Sequence, residues 1–289
     1  MPDDGVIGSG EFVATLITGT TVISGRTFAN KEVQYSEING LAIFEGDIVL
    51  GTVEQTQNKY LRYVVSRTSL LDSERLQTDP DVKQAISTLQ RAAEEFQALG
   101  IAVNDKQLLW PGNLVTFEIH PALPFPERVT QAIAHWEAHT KFRFKQHQHE
   151  TDFVVFQPGA DCNSPVGRVG GQQIVMLDSN CTMGGVIHEI GHTIGLWHEH
   201  TRSDRDRFIH IDFANITPGA EKNFTQHISD GVDLGNYDYG SIMHYPAGAF
   251  AKDTSKPTII APGGVIIGQR SDLSAGDIAA ANTIASFSQ

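Results

Sequence analysis

The sequence predicts an α+β fold in two unlike parts, and three observations carry that expectation. All twelve histidines of the 289-residue chain lie between His120 and His244, and both cysteines, Cys162 and Cys181, fall inside the same region. Residues 11–68 read instead as short strands rich in β-branched and aromatic side chains, broken by turn signals. Between and after these stretches the apolar residues recur every three or four positions, the period of helices. With 21 basic against 34 acidic residues, the formal charge is −13. That balance argues against nucleic acid or an anionic membrane as a partner, because both need a basic surface. No apolar run approaches the ~18–20 residues of a membrane span.

Taken in order, Phe12–Ile17, Thr21–Ile23 and Lys59–Val65 are strand candidates, with Asn39-Gly40 a tight turn. Val82, Ile86, Leu89, Ala93, Phe96 and Leu99 line one face of a helix over about 80–99, stopped by Gly100. Trp110–Asn113 is a turn, Leu114–Ile119 a strand, and Pro126–His139 a helix with Val129, Ile133 and Trp136 on one face. Phe142–Phe144 and Phe153–Phe156 are further strands. Gly185–His198 begins as a helix and turns polar and loop-rich after Gly195. A terminal helix runs from Ser274 to Phe287, opened by a capping signal of Ser274 and Asp277.

The chemistry sits in His188-Glu189-Ile190-Gly191-His192-Thr193-Ile194-Gly195-Leu196-Trp197-His198. On a helix His188 and His192 are one turn apart and share a face, so two imidazoles can grip one ion. Glu189 stands where its carboxylate reaches a water on the metal instead of the metal. Gly195 can end the helix at positive φ, and the chain then turns to bring up His198. Three imidazoles with one position left open describe a catalytic zinc site, whereas structural sites are closed by four protein ligands.

His-Glu-x-x-His-x-x-Gly-x-x-His resembles the zinc signature of the metzincins, and the following Glu199, Arg202, Asp204, Arg205 and Asp206 resemble its astacin branch. Ser241-Ile242-Met243-His244-Tyr245 is similar to the astacin Met-turn and its tyrosine. Trp110-Pro111-Gly112, Cys162-Asn163-Ser164 with Val166-Gly167-Arg168, and Ile267-Gly268-Gln269-Arg270 resemble further astacin stretches. The likeness runs from about Leu109 to the terminal helix and points most closely to bacterial astacin-like proteases. It implies a metzincin catalytic domain over 109–289 with a twisted sheet and an active-site helix. Ahead of it lies a β-rich pro-region, 1–108, with a spacer helix at about 80–99.

The resemblance further implies one zinc ion per chain held by His188, His192 and His198, with Glu189 as general base and Tyr245 as oxyanion stabiliser. Met243 becomes an apolar floor under the metal, and Glu199 the group that binds the new amino terminus after activation. Cys162 and Cys181 fall where the family has a disulfide; from the cysteines alone, two reduced thiols are the alternative. Arg270 is expected in the substrate pocket, against the alternative of a solvated surface arginine. Phe44-Glu45-Gly46-Asp47-Ile48 resembles the pro-segment motif in which the aspartate takes the open zinc position and holds the enzyme latent. Alone, Gly-Asp is an ordinary turn. His244 is expected to be structural, and His135, His139, His147, His149 and His200 solvated.

The expected function is a zinc endopeptidase that hydrolyses peptide bonds by a metal-activated water and is made as a latent zymogen. Its partners are protein or peptide substrates, and the pattern leaves the oligomeric state open. The alternative is a non-catalytic zinc-binding protein with the same fold, for which Glu189 has no use. The amino terminus shows no basic stretch followed by an apolar one, so no signal peptide is visible. The chain is therefore intracellular, exported by another route, or trimmed; the resemblance favours export.

Overall fold

The computed structural model describes residues 19–25, 28–38, 41–45, 47–53, 56–57 and 100–287. The candidate strands Phe12–Ile17 and Lys59–Val65, the Asn39-Gly40 turn, Gly46 and the 80–99 helix lie outside the described residues.

The histidine-rich part is built on a four-stranded parallel sheet of β6 (Leu114–Ile119), β7 (Arg143–Gln146), β8 (Phe153–Pro158) and β9 (Gln172–Leu177), in the order β7-β6-β8-β9. Helix α1 (Glu127–His139) makes the crossover between β6 and β7, and α2 (Met183–Ile194) follows β9. The two helices pack together, and the Trp136 indole donates to the Ile187 carbonyl at 3.0 Å. Val129, Ala132 and Trp136 are fully buried between sheet and helices with Val186, Ile187 and Ile190. Helix α2 is capped at both ends. Thr182 accepts from the Gly185 N–H, and Gly195 at φ 110° closes it, with Gly195 N donating to His192 O and Leu196 N to Gly191 O. That pairing is a Schellman motif, which needs a residue free of a Cβ at the left-handed position. Helix α3 (Ala275–Phe287) opens on the expected capping box, Ser274 N donating to Asp277 and Asp277 N to Ser274 Oγ.

The amino-terminal strands form an antiparallel meander of β1 (Gly19–Gly25), β2 (Phe28–Ile38), β3 (Leu41–Phe44) and β4 (Ile48–Thr52). Phe44 pairs with Ile48, so Glu45 and Asp47 lie at the tip of the β3–β4 hairpin. The hairpin tip enters the histidine-rich part. Ser164 N donates to Asp47 O and Val49 N to Ser164 O, a parallel bridge at Ile48. Phe44 and Ile48 are 3% and 1% exposed and join the same apolar core as α2. Each such burial stabilises by ~1.5–3 kcal/mol, so the hairpin is docked by packing as well as by polar contacts.

β5 (Gly100–Val103), β9, β10 (His210–Ile211), β11 (Gly231–Leu234) and β12 (Ile259–Ile260) were not anticipated from sequence. β9 is a short apolar run without a readable period. β5 pairs with β11, and its Val103 N and Ile101 O bond to Gly195 O and Trp197 N. β5 thus lies ahead of residue 109 yet is fastened to the loop leaving α2. The remaining two-stranded ladder joins β10 to β12. No helix among the described residues is long and apolar enough to cross a membrane.

Candidate active site and metal centre

Because α2 places His188 and His192 one turn apart, both rings leave the helix toward the same point, and the turn at Gly195 returns His198 to it. All three are at most 1% exposed. Their Nδ1 atoms are engaged elsewhere: His188 with the Ile242 carbonyl at 2.8 Å, His192 with the Leu196 carbonyl at 2.8 Å, and His198 with Glu45 Oε2 at 3.0 Å. Placing the proton on Nδ1 leaves a lone pair on each Nε2, and these converge. His192 Nε2 and His198 Nε2 are 3.2 Å apart.

Asp47 completes the cluster from the hairpin tip. Its Oδ2 lies 3.2 Å from His188 Nε2, 3.7 Å from His192 Nε2 and 3.0 Å from His198 Nε2. Three lone pairs and a carboxylate oxygen at these separations repel one another unless a cation lies between them. The spacings fit the ~3.3 Å edge of a tetrahedron with metal–ligand bonds of ~2.0 Å. Among the described residues this is the one group of three or more His, Cys, Asp or Glu able to hold a metal ion. Burial pulls the pKa values of His188 and His192 down, favouring the neutral, ligating form. Burial resists ionisation of Asp47, but His198 leads a set of histidine contacts that hold its carboxyl well below the usual range.

Glu189 is fully buried at the adjacent position of α2. Met243 is buried against the same helix, so close that a Cβ on Gly191 would stand 2.5 Å from its sulfur. The turn carrying it is held by Asp277, which accepts from Ser241 Oγ and Ile242 N at 2.6 and 2.9 Å. Through the Ile242 carbonyl the same turn fixes His188. The Tyr245 ring lies 4.5 Å from that of His198, and its hydroxyl donates to the Glu45 carbonyl. Burial first, then the Asp47 charge, raises its pKa, so the phenol keeps its proton.

Glu199 is fully buried; its Oε1 accepts from Asp238 N at 2.8 Å and lies 3.7 Å from Arg202, while Oε2 has no hydrogen-bond partner among the described residues. Burial pushes its carboxyl well above the ordinary range. Arg270 is not a solvated surface arginine. It is partly buried, and its guanidinium donates to the carbonyls of Ile242 and His244 at 2.8 and 3.0 Å, under the methionine turn. Cys162 and Cys181 are joined in a disulfide.

His200 corrects the expectation of a solvated side chain. It is fully buried, with Nε2 3.0 Å from the Asn223 carbonyl and its ring stacked on Tyr245 at 3.9 Å. The reason is tertiary: Tyr245 and Phe224 arrive from distant loops to cover it. His147 also departs, stacking on Phe153 at 3.7 Å with Nδ1 on Glu118. His135, Nε2 2.8 Å from Asp272, and His139 stay at the surface of α1 and form no metal-capable group among the described residues. His244 is buried beside Tyr237, 2.6 Å from its hydroxyl, and outside the metal cluster.

A buried polar chain that begins in the hairpin was not legible in the sequence. Glu45 Oε1 is 2.6 Å from His227 Nε2, and His227 Nδ1 is 2.8 Å from Asp230. Glu45 and His227 are 182 residues apart, and nothing local marks either one.

Two buried histidines on a helix ending at glycine, a third returned by the turn that follows, and a methionine turn beneath them define the zinc-dependent metzincin class. The model of the astacin peptidase family matches residues 102–286, and the chain belongs to that family. It is 38% identical over 209 residues to mouse tolloid-like protein 1, a match that spans 68% of this chain and 20% of that protein. With the mouse astacin-like metalloendopeptidase it shares 44% identity over 155 residues, 52% of this chain and 35% of the relative. The chain thus spans about a fifth to a third of the length of these curated relatives. Among solved structures, high choriolytic enzyme 1, a hatching enzyme zinc-protease of the medaka Oryzias latipes, superposes with a TM-score of 0.58 at 31% identity. That alignment covers 63% of this chain and 96% of the hatching enzyme. The family's cofactor is zinc, and the histidine–aspartate cluster can take one such ion.

Proposed function

We propose that the chain is a zinc endopeptidase made in a latent form, with its pro-region ending ahead of β5, earlier than the expected residue 108, and its catalytic domain running from β5 onward. One observation carries the reading: the three Nε2 atoms share their remaining coordination position with a carboxylate delivered by the amino-terminal hairpin. An anionic oxygen there excludes the water that peptide hydrolysis needs.

Bound by His188, His192 and His198, zinc supplies Lewis acidity, polarising the scissile carbonyl and lowering the pKa of water. The residues of the chain do the rest. Glu189 takes the proton of the attacking water and passes it to the leaving amine, acting as base and then acid. Tyr245, protonated because it is buried, donates a hydrogen bond to the developing oxyanion once its hydroxyl leaves the Glu45 carbonyl. Met243 packs under the histidines, and the methionine turn holds His188 in its donor tautomer. Arg270, bonded to the carbonyls of that turn, is the cation assigned to favour substrates with an acidic residue near it.

Release of the lock follows cleavage ahead of β5. Glu199 then receives the new amino terminus at its buried Oε2, a site supported by the closeness of β5: Arg202, beside Glu199, already donates to the Gly100 carbonyl at 2.8 Å. The disulfide supports function outside the reducing cytosol, that is, export. The substrates are proteins or peptides. The test is zinc analysis and casein digestion after limited proteolysis of the full chain, alongside Glu189→Ala. Stoichiometric zinc in both, with digestion only in the unsubstituted chain, is expected; equal digestion by both refutes the mechanism.

A further inference from the structure

A histidine that ligates a metal needs an acceptor for its other ring nitrogen, because that bond fixes tautomer and ring orientation. His188 and His192 find theirs on the backbone of their own part of the chain. His198 does not. Its Nδ1 points at Glu45 Oε2, on the hairpin, 153 residues away in sequence. Glu45 is fully buried and sits at φ 54°, a left-handed conformation that a non-glycine residue adopts only where its surroundings impose it. The surroundings here are three contacts: the carboxylate on His198, the carboxylate on His227, and the backbone carbonyl under the Tyr245 hydroxyl. His227 is itself pinned by Asp230 and stacked on Trp197 at 3.9 Å, next in sequence to His198.

We infer that Glu45 is a positioning residue of the latent site, bridging His198 to the His227–Asp230 pair so that the hairpin both orients the third zinc ligand and delivers the fourth. The inference rests on the latent-peptidase reading above and deepens it. Asp47 blocks the position, while Glu45 sets the ligand cage and holds the tip that carries Asp47. Withdrawing the hairpin therefore removes the acceptor of His198 together with the blocking carboxylate, so the latent chain holds zinc more tightly than a chain without Glu45.

The experiment measures, in the full chain, the zinc dissociation constant by competition with a chromophoric chelator and the basal rate of casein cleavage. Glu45→Ala is expected to weaken zinc on the order of 10–100-fold, the usual cost of losing such a partner, and to raise the basal rate. Glu45→Gln, which keeps one acceptor oxygen for His198, falls between it and the wild type. His227→Ala moves both readouts in the same direction by less. Zinc affinity unchanged in folded Glu45→Ala, or unchanged in Glu45→Gln if the alanine variant does not fold, overturns the inference. Asp47→Ala separates the two layers: if it stays silent toward casein, the latency reading fails, while the zinc shift of the Glu45 variants still decides the orienting role.

Discussion

At the scale of single residues, side chains within a few ångströms of one another carry separate tasks. Glu189 is buried beside the histidine cluster but is not one of its members; as the proposed general base, its replacement in Glu189→Ala should abolish peptidase activity and leave zinc content intact, read by metal analysis beside a rate assay. Tyr245→Phe removes one donor to the oxyanion, and a loss of ~10²-fold in kcat with little change in zinc affinity is the expected outcome. His227 carries a pH signature. Burial alone favours its neutral form, but Glu45 and Asp230 raise its pKa from 6.5 to about 9. A raised pKa means the folded chain keeps a proton that the unfolded chain gives up. The contribution, about 3 kcal/mol at most, is complete below pH 6.5 and disappears as pH rises through about 9. Thermal unfolding of the latent chain should show that decline, and His227→Gln should flatten it; an equally steep decline in the variant contradicts the assignment. The convergence of His188, His192 and His198 was legible because their spacing is local, a helical turn followed by a glycine stop. The burial of His200 and the pairing of Glu45 with His227 were not, because their partners come from loops far away in sequence.

At the scale of elements, the site depends on how α2 ends and on what passes beneath it. Gly195 at φ 110° has Val103 of β5 3.0 Å from where a Cβ would stand. Gly195→Ala should cost ~1–2 kcal/mol from backbone strain alone and misplace His198. The readout is a lower melting temperature together with weakened zinc binding; a stable variant with unchanged zinc affinity contradicts this view of the turn. The Cys162–Cys181 bridge joins the segment after β8 to the residue before the α2 cap, a separation of 19 residues. Its removal by Cys162→Ser should lower stability by ~2–4 kcal/mol, measured by denaturant unfolding. Helix α1 could be read from its apolar period, α2 from the histidine spacing and its glycine stop, and α3 from its capping signal. β9 could not, since six residues in a buried parallel strand carry no period that separates them from a helix fragment. The Gly46-Asp47 pair was open to both a turn and a switch reading; Asp47 lies at the hairpin tip and is part of the cluster able to hold a metal.

At the scale of the molecule, the two parts are joined through one apolar core and one polar centre. Phe44 and Ile48 flank the loop that carries Glu45 and Asp47, and they are buried with α2 in a common cluster. On the proposed latent reading, latency and stability are coupled. Whatever opens the hairpin exposes apolar surface and uncovers the metal position in the same step. The uneven distribution of histidines, visible at once in the sequence, marks the chemical half; three of the twelve suffice for the metal, and others line its surroundings. What no composition reveals is that the histidine-free half supplies two buried carboxylates to that centre. The most direct measurement is the initial rate of casein hydrolysis by zinc-loaded full-length chain, wild type against Asp47→Ala, without proteolytic trimming. A latent site held by Asp47 predicts a slow wild type and a clearly faster variant, because the opened metal position admits the water, silenced again by Glu189→Ala. A folded, zinc-loaded Asp47→Ala chain no faster than the wild type would contradict it.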